Sequence, residues 1–174
     1  EFHYTFDDLN AFVVSVPDTA IRGLLHNPNV VSIEEDAPRY PMGQEIPYGI
    51  DMVQARDVWD ANRDGVVDAG APTGSNRTIC IIDSGLSTSH EDFKNVNVLG
   101  GEPTGWNNDT CGHGTHVAGT IVAANNDLGV VGVTPGTVNL YIVKVFDGEA
   151  CGWTYSSTLA YAAQRCQAAG ANVI

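Results

Sequence analysis

The stretch "TCGHGTHVAGTI", Thr110 to Ile121, sets two histidines, His113 and His116, three residues apart among glycines and small side chains. Histidine changes charge near neutral pH, so such a cluster can move protons, bind a metal, or open a buried helix. The metal reading lacks a third ligand. The helical zinc pattern HExxH needs a glutamate and four-residue spacing, and neither is present. Proton transfer needs a partner, and Asp83 offers a carboxylate at the end of the apolar run "RTICIIDSG". At the carboxyl end of a buried parallel strand, a carboxylate can fix the tautomer of a neutral histidine and stabilise its protonated form. A turn-forming aspartate after a strand fits the same pattern, and the strand alone leaves both readings open. His113 stands at the start of a predicted helix, where the helix dipole disfavours extra positive charge and keeps an imidazole available as a base. His116 is expected to be a hydrogen-bonded core histidine.

A second set of residues suits a hard cation. "DANRDGVVD" carries oxygen side chains at its first, third, fifth and ninth positions and glycine at the sixth. These are the opening positions of an EF-hand-type calcium loop: Asp60, Asn62, Asp64, the Val66 carbonyl and Asp68. The twelfth position is Ala71 and supplies no carboxylate. An ion-free Asp/Asn/Gly turn is the competing reading.

The elements that must position these residues fall into two groups. "FHYTF" and "AFVVSV" read as strands around a "DDLN" turn, "PDTAIRGLLHNPN" as a short helix capped by Asp18 or Thr19, and "VVSIEED" as a further strand. This is a small α+β unit. A break rich in proline, "APRYPMGQEIP", follows. Beyond it, "RTICIIDSG" and "NLYIVKVF" read as central strands, "HGTHVAGTIVAA" as a buried helix, "TYSSTLAYAAQRCQAAG" as a helix stopped at Gly170, and "ANVI" as the start of another strand. Strands alternating with helices indicate an α/β fold with a mainly parallel sheet.

Composition narrows the function. Eight Lys and Arg against 21 Asp and Glu give a net charge of -13, a sign that repels phosphate backbones and anionic lipid. Neither nucleic acid nor a membrane is expected as a partner. Cys80, Cys111, Cys151 and Cys166 lack the close pairs of a zinc site, and four cysteines allow three disulfide pairings. Disulfides in so acidic a chain point to a secreted, extracellular protein, with buried free thiols as the alternative.

Together the motifs resemble the subtilisin-type serine proteases. "IIDSG" followed by "GHGTHVAGTI" carries the likeness, and "QEIPYGIDMVQA", "NNDLGVVGVTP" and "LYIVKVFD" extend it over residues 43–174. Residues 1–42 resemble the second half of the family's inhibitory propeptide, a ferredoxin-like unit, with the processing point at Met42–Gly43. The resemblance implies a parallel sheet with helices on both faces, a peptide-hydrolysing activity, and an Asp-His-Ser triad that uses Asp83 and His113. It assigns Gly152, Trp153 and Thr154 to the segment that pairs with substrate, and Tyr155 to a nearby pocket wall. It implies a calcium site made by Gln44, Asp92, Asn126 and the carbonyls of Ala124, Leu128 and Val130. Gln44 is expected to reach that site only after the Met42–Gly43 bond is cut. It also implies the pairings Cys111–Cys151 and Cys80–Cys166.

No serine here stands in a motif like the family's "GTSMA". The expectation is therefore a second chain that carries the serine, with residues 1–42 as an intramolecular inhibitor of the cleft. A noncatalytic calcium-binding member of the family is the rival reading.

Overall fold

The structure is a computed structural model and describes residues 1–36 and 44–174. The chain separates into two compact units, residues 1–41 and 42–174. The Met42–Gly43 processing point lies outside the described residues.

In the first unit, β1 (Phe2–Phe6) pairs antiparallel with β2 (Ala11–Val14). A single 3-10 turn over Asp7–Leu9 connects them and closes on Asn10 in the left-handed region, which asparagine tolerates. Helix α1 spans Asp18–Leu25. Pro17 precedes it with no side-chain cap, so neither Asp18 nor Thr19 caps this helix. The expected strand at "VVSIEED" does not form among the described residues. A strand needs a partner for its backbone groups, and Val31 is fully exposed. Among its described residues the unit is thus a hairpin and a helix without a buried core: α1 buries none of its residues.

The second unit is built on a parallel sheet of order β3-β5-β4. Strand β3 is Thr78–Asp83, β4 is Val98–Glu102 and β5 is Asn139–Lys144. β3 and β5 run in unbroken register from Thr78 opposite Asn139 to Asp83 opposite Lys144. On the other side of β3, Val173 forms a parallel bridge to Ile79, so "ANVI" contributes one bridged residue. β4 was not expected from the sequence, nor were two short helices, α2 (Tyr48–Met52) and α3 (Ala55–Trp59).

Alternation along the strands divides the core in two. Ile81, Leu140 and Ile142 pack with Ala118 and Val122 of α4 (His113–Val122). Cys80 and Val143 point to the opposite face and pack with Ala162 and Cys166 of α5 (Ser156–Ala168). Helices therefore cover both faces of an α/β sheet. The α5 contact is fastened by a disulfide between Cys80 and Cys166, whose Cα atoms are 5.5 Å apart. No helix among the described residues is long and apolar enough to cross a membrane.

Candidate active site

β3 delivers Asp83 to the carboxyl edge of the sheet, and α4 begins with His113 beside it. Close approach makes this possible. A Cβ on Gly114 would collide with the Gly85 carbonyl oxygen and stand 3.1 Å from the Asp83 Cβ, so α4 can meet the end of β3 only through a glycine. His113 Nδ1 lies 2.8 Å from Asp83 Oδ1 and 2.9 Å from Oδ2. The Asp83 carboxylate, which also accepts the Ser84 N–H at 2.7 Å, is a pure acceptor when ionised, so Nδ1 carries the hydrogen and donates. That leaves the Nε2 lone pair free. The Asp83 side chain is 11 % exposed and that of His113 is 65 % exposed. A buried carboxylate thus holds an imidazole whose working nitrogen faces outward. No serine hydroxyl among the described residues bonds to Nε2.

Sequence reasoning missed Asp109. Its Oδ1 accepts from the Ser84 hydroxyl at 2.8 Å and the Gly112 N–H at 2.9 Å. Its Oδ2 accepts from the Thr115 N–H at 2.9 Å and the Thr115 hydroxyl at 2.5 Å. Ser84 Oγ in turn accepts the Gly114 N–H at 2.8 Å. The helix cap itself, Gly112, has no side chain to satisfy these donors, so an aspartate one turn upstream does it. Burial pulls the Asp109 carboxyl upward, yet the hydrogen bonds from Thr115, Gly112 and Ser84 outweigh it and hold the group below its ordinary value of 3.8. The readable signal was an acidic residue shortly before a helix start that carries Thr at its third position.

His116 departs from its expected role. It is exposed and makes no side-chain hydrogen bond among the described residues. It lines a hollow of about 790 Å³ with Ile50, Phe93, Thr115, Val130 and Val131. Its imidazole opens on that hollow and not on a buried polar group.

The segment expected to pair with substrate is tied to the histidine loop. Cys111 and Cys151 form a disulfide with Cα atoms 5.2 Å apart. Lys144 Nζ reinforces the link by donating to the Asn108 carbonyl at 2.7 Å and pairing with Asp147 at 3.0 Å. The Lys144 ammonium, helped by the Gly148 N–H, holds the Asp147 carboxyl below its ordinary range. After the disulfide, Gly152, Trp153 and Thr154 form no regular element. Trp153 is 73 % exposed and meets Tyr155 edge-on, ring centroids 4.8 Å apart.

The two candidate calcium sites differ. At the first, the Gln44 side-chain nitrogen lies 2.6, 3.0 and 3.1 Å from the carbonyl oxygens of Ala124, Leu128 and Val130. A primary amide has two hydrogens for these three acceptors, so the cradle holds more oxygen than the amide can satisfy. The buried Asp92 carboxylate borders the same loop and accepts the Val130 N–H at 3.0 Å. Asn126 turns its oxygen to the Leu128 N–H. This donor set of carbonyls, an amide and a carboxylate fits a hard cation. Gln44 stands at this cradle, and the Met42–Gly43 bond whose cleavage was expected to come first lies outside the described residues. The position is fixed locally, because Glu45 exchanges backbone hydrogen bonds with Gly129 and Val131.

At the second, Asp60 is fully buried and its Oδ2 is taken by Arg56 at 2.6 and 2.9 Å. Asp68 accepts the Ala61 N–H, and Asp64 accepts from Asn62 and Val66. Among the described residues no three His, Cys, Asp or Glu side chains gather as a metal-holding group, at this loop or at the Gln44 cradle. The loop from Asp60 to Asp68 is closed by its own donors and by a guanidinium, an arrangement that fits an ion poorly.

Comparison with known proteins agrees with this geometry. Residues 74–174 match the model of the subtilase family. The chain is 38% identical over 152 residues to subtilisin E of Bacillus subtilis, covering 84% of this chain and 36% of that protein. It is 37% identical over 155 residues to M-protease of Shouchella clausii, covering 87% and 37%. Among solved structures it is similar to the psychrophilic subtilisin-like protease Apa1 from the Antarctic psychrotroph Pseudoalteromonas sp. AS-11. That likeness has a TM-score of 0.60 at 41% identity and covers 74% of this chain and 28% of that one. The chain thus spans little more than a third of the length of these two curated relatives.

Proposed function

Because the chain belongs to the subtilase family, we propose that it forms the Asp/His part of a secreted serine endopeptidase. The observation that carries this reading is the Asp83–His113 pair at the carboxyl edge of the sheet, with Nε2 free. In the complete protein, Nε2 takes the proton of a serine hydroxyl as that oxygen attacks the scissile carbonyl, then returns it to the leaving amine. Asp83 holds the tautomer and stabilises the imidazolium between those two transfers. The serine belongs to sequence outside these 174 residues, whether on the same polypeptide or on a second chain. Gly152, Trp153 and Thr154 bind the substrate backbone, an assignment supported by the ties that hold this segment to the histidine loop. Residues 1–42 act as an inhibitory propeptide, with Met42–Gly43 as the processing bond.

Calcium, when bound, supplies charge that fastens the loop from Ala124 to Val130 onto Gln44 and Asp92; it takes no part in proton transfer. The Gln44 site fits this role and the Asp60 loop does not. The noncatalytic rival predicts no reactive serine. A serine-directed fluorophosphonate separates the two readings. Covalent labelling of the complete protein, lost on His113→Ala, supports the protease. An unlabelled, folded protein that cleaves no peptide overturns it.

A further inference from the structure

We propose that Asp109 is a positioning residue for the Asp83–His113 pair, fixing the first turn of α4 to the end of β3. This inference rests on the proposed protease reading for its kinetic consequences, though not for its geometry. The two elements that carry the pair come from positions 30 residues apart in sequence. Between them stands one carboxylate with four donors, two on each oxygen. Ser84, the residue directly after Asp83, donates to Oδ1. Gly112 and Thr115, which flank His113, donate to Oδ1 and Oδ2. Ser84 Oγ then accepts the Gly114 N–H, so the circuit closes around His113 from both sides. Thr115 Oγ1 extends it by accepting the Ser87 N–H at 3.0 Å.

Only a carboxylate fits this set. An asparagine keeps one acceptor oxygen and turns an NH2 group toward two donors, leaving at least one N–H or O–H without a partner.

The test uses the complete protein with Asp109→Asn and Ser84→Ala. Asp109→Asn is expected to lower kcat by about 10- to 100-fold with KM little changed, because the pair is displaced while the substrate segment is not. Asp109→Glu, which keeps both acceptor oxygens, is expected to restore part of that loss. Ser84→Ala cuts the link to β3, so kcat falls with KM again little changed. If Asp109→Asn does not fold, the Ser84→Ala kcat decides. The proposal is overturned if the folded variants keep kcat within twofold of wild type, or if the loss appears in KM with kcat unchanged. A wild-type protein that cleaves no peptide refutes the protease reading; the His113 Nδ1–H resonance then decides this inference, upheld if it moves in Asp109→Asn and overturned if it does not.

Discussion

The Asp83 carboxylate and the His113 Nδ1 meet through both oxygens, at 2.8 and 2.9 Å, with the aspartate buried and the ring open to solvent. The acceptor oxygens fix the proton on Nδ1, and so leave the Nε2 lone pair without a partner among the described residues. Replacing Asp83 by asparagine keeps the shape and offers Nδ1 a donor as readily as an acceptor, so the ring can flip tautomer. Triad aspartates in serine proteases, subtilisin included, lose on the order of 10⁴-fold in kcat when altered, and the same order is expected here. Steady-state kinetics of Asp83→Asn in the complete protein checks it. A loss under tenfold would show that the pair does not carry the proton transfer.

Glycine at 114 is a second condition for the same geometry. In Gly114→Ala the new Cβ strikes the Gly85 carbonyl, and α4 has to slide off the end of β3. Overpacking of this kind costs about 1–3 kcal/mol. At Gly119, on the same helix, an added Cβ would meet nothing within 4 Å, so Gly119→Ala should be neutral or add up to about 1 kcal/mol through helix propensity. Urea unfolding of the two variants gives the comparison. Equal destabilisation would contradict the close packing assigned to Gly114.

What was legible in the sequence follows from which signals are local. β3, β5, α4 and α5 announce themselves as apolar runs or small-residue helices, and each is present within a few residues of its expected span. β4 reads "VLGGE", and two glycines erase the side-chain alternation that marks a strand, so pairing with β5 alone defines it. The opposite error occurred at "VVSIEED", where a good strand sequence finds no partner among the described residues. Asp83 and His113 could be picked out from local chemistry. Asp109 was legible only as an acidic residue before a helix start, because its tie to the site runs through Ser84, 25 residues away. Gln44 became a candidate ligand only by resemblance, since its carbonyl partners lie 80 to 86 residues along the chain.

Calcium should act on stability through Gln44 and Asp92. A ligand that binds only the folded state stabilises it by RT ln(1 + [L]/Kd), about 2.7 kcal/mol at a hundredfold excess over Kd. Chelation is therefore expected to lower the melting temperature of the wild type, and Gln44→Ala with Asp92→Asn to abolish that response. Asp64→Ala is expected to retain it, since the Asp60 loop is closed by Arg56. A chelator response that survives in the double variant but disappears in Asp64→Ala would reverse the assignment of the two loops.

The Cys80–Cys166 bond closes a loop across 86 residues and anchors α5 to β3. Constraint of the unfolded chain over such a span is worth about 2–4 kcal/mol in typical proteins. Cys80→Ala with Cys166→Ala should lose that much in denaturant unfolding. Cys111→Ala with Cys151→Ala should instead show itself first in KM, because that bond holds the proposed substrate segment to the histidine loop. Identical effects of the two pairs on stability and KM would deny them separate roles.

Asp109 makes a prediction about acid stability whose sign is fixed by its hydrogen bonds. Its folded-state carboxyl titrates below the ordinary value of 3.8 because Thr115, Gly112 and Ser84 favour the ionised form more than burial opposes it. The unfolded chain therefore binds the proton first as pH falls. The stabilisation is fully present above the ordinary value and drains away as pH drops through the lowered one. Wild type should be more stable than Asp109→Asn at neutral pH, and this advantage should shrink on acidification, since the asparagine has no proton to gain. Other carboxylates titrate in both proteins and cancel in the difference. Unfolding free energies measured at matched pH values would show the two curves converging toward the acid end. A gap that stays constant across that range would mean the Asp109 carboxylate is not held by these donors in solution.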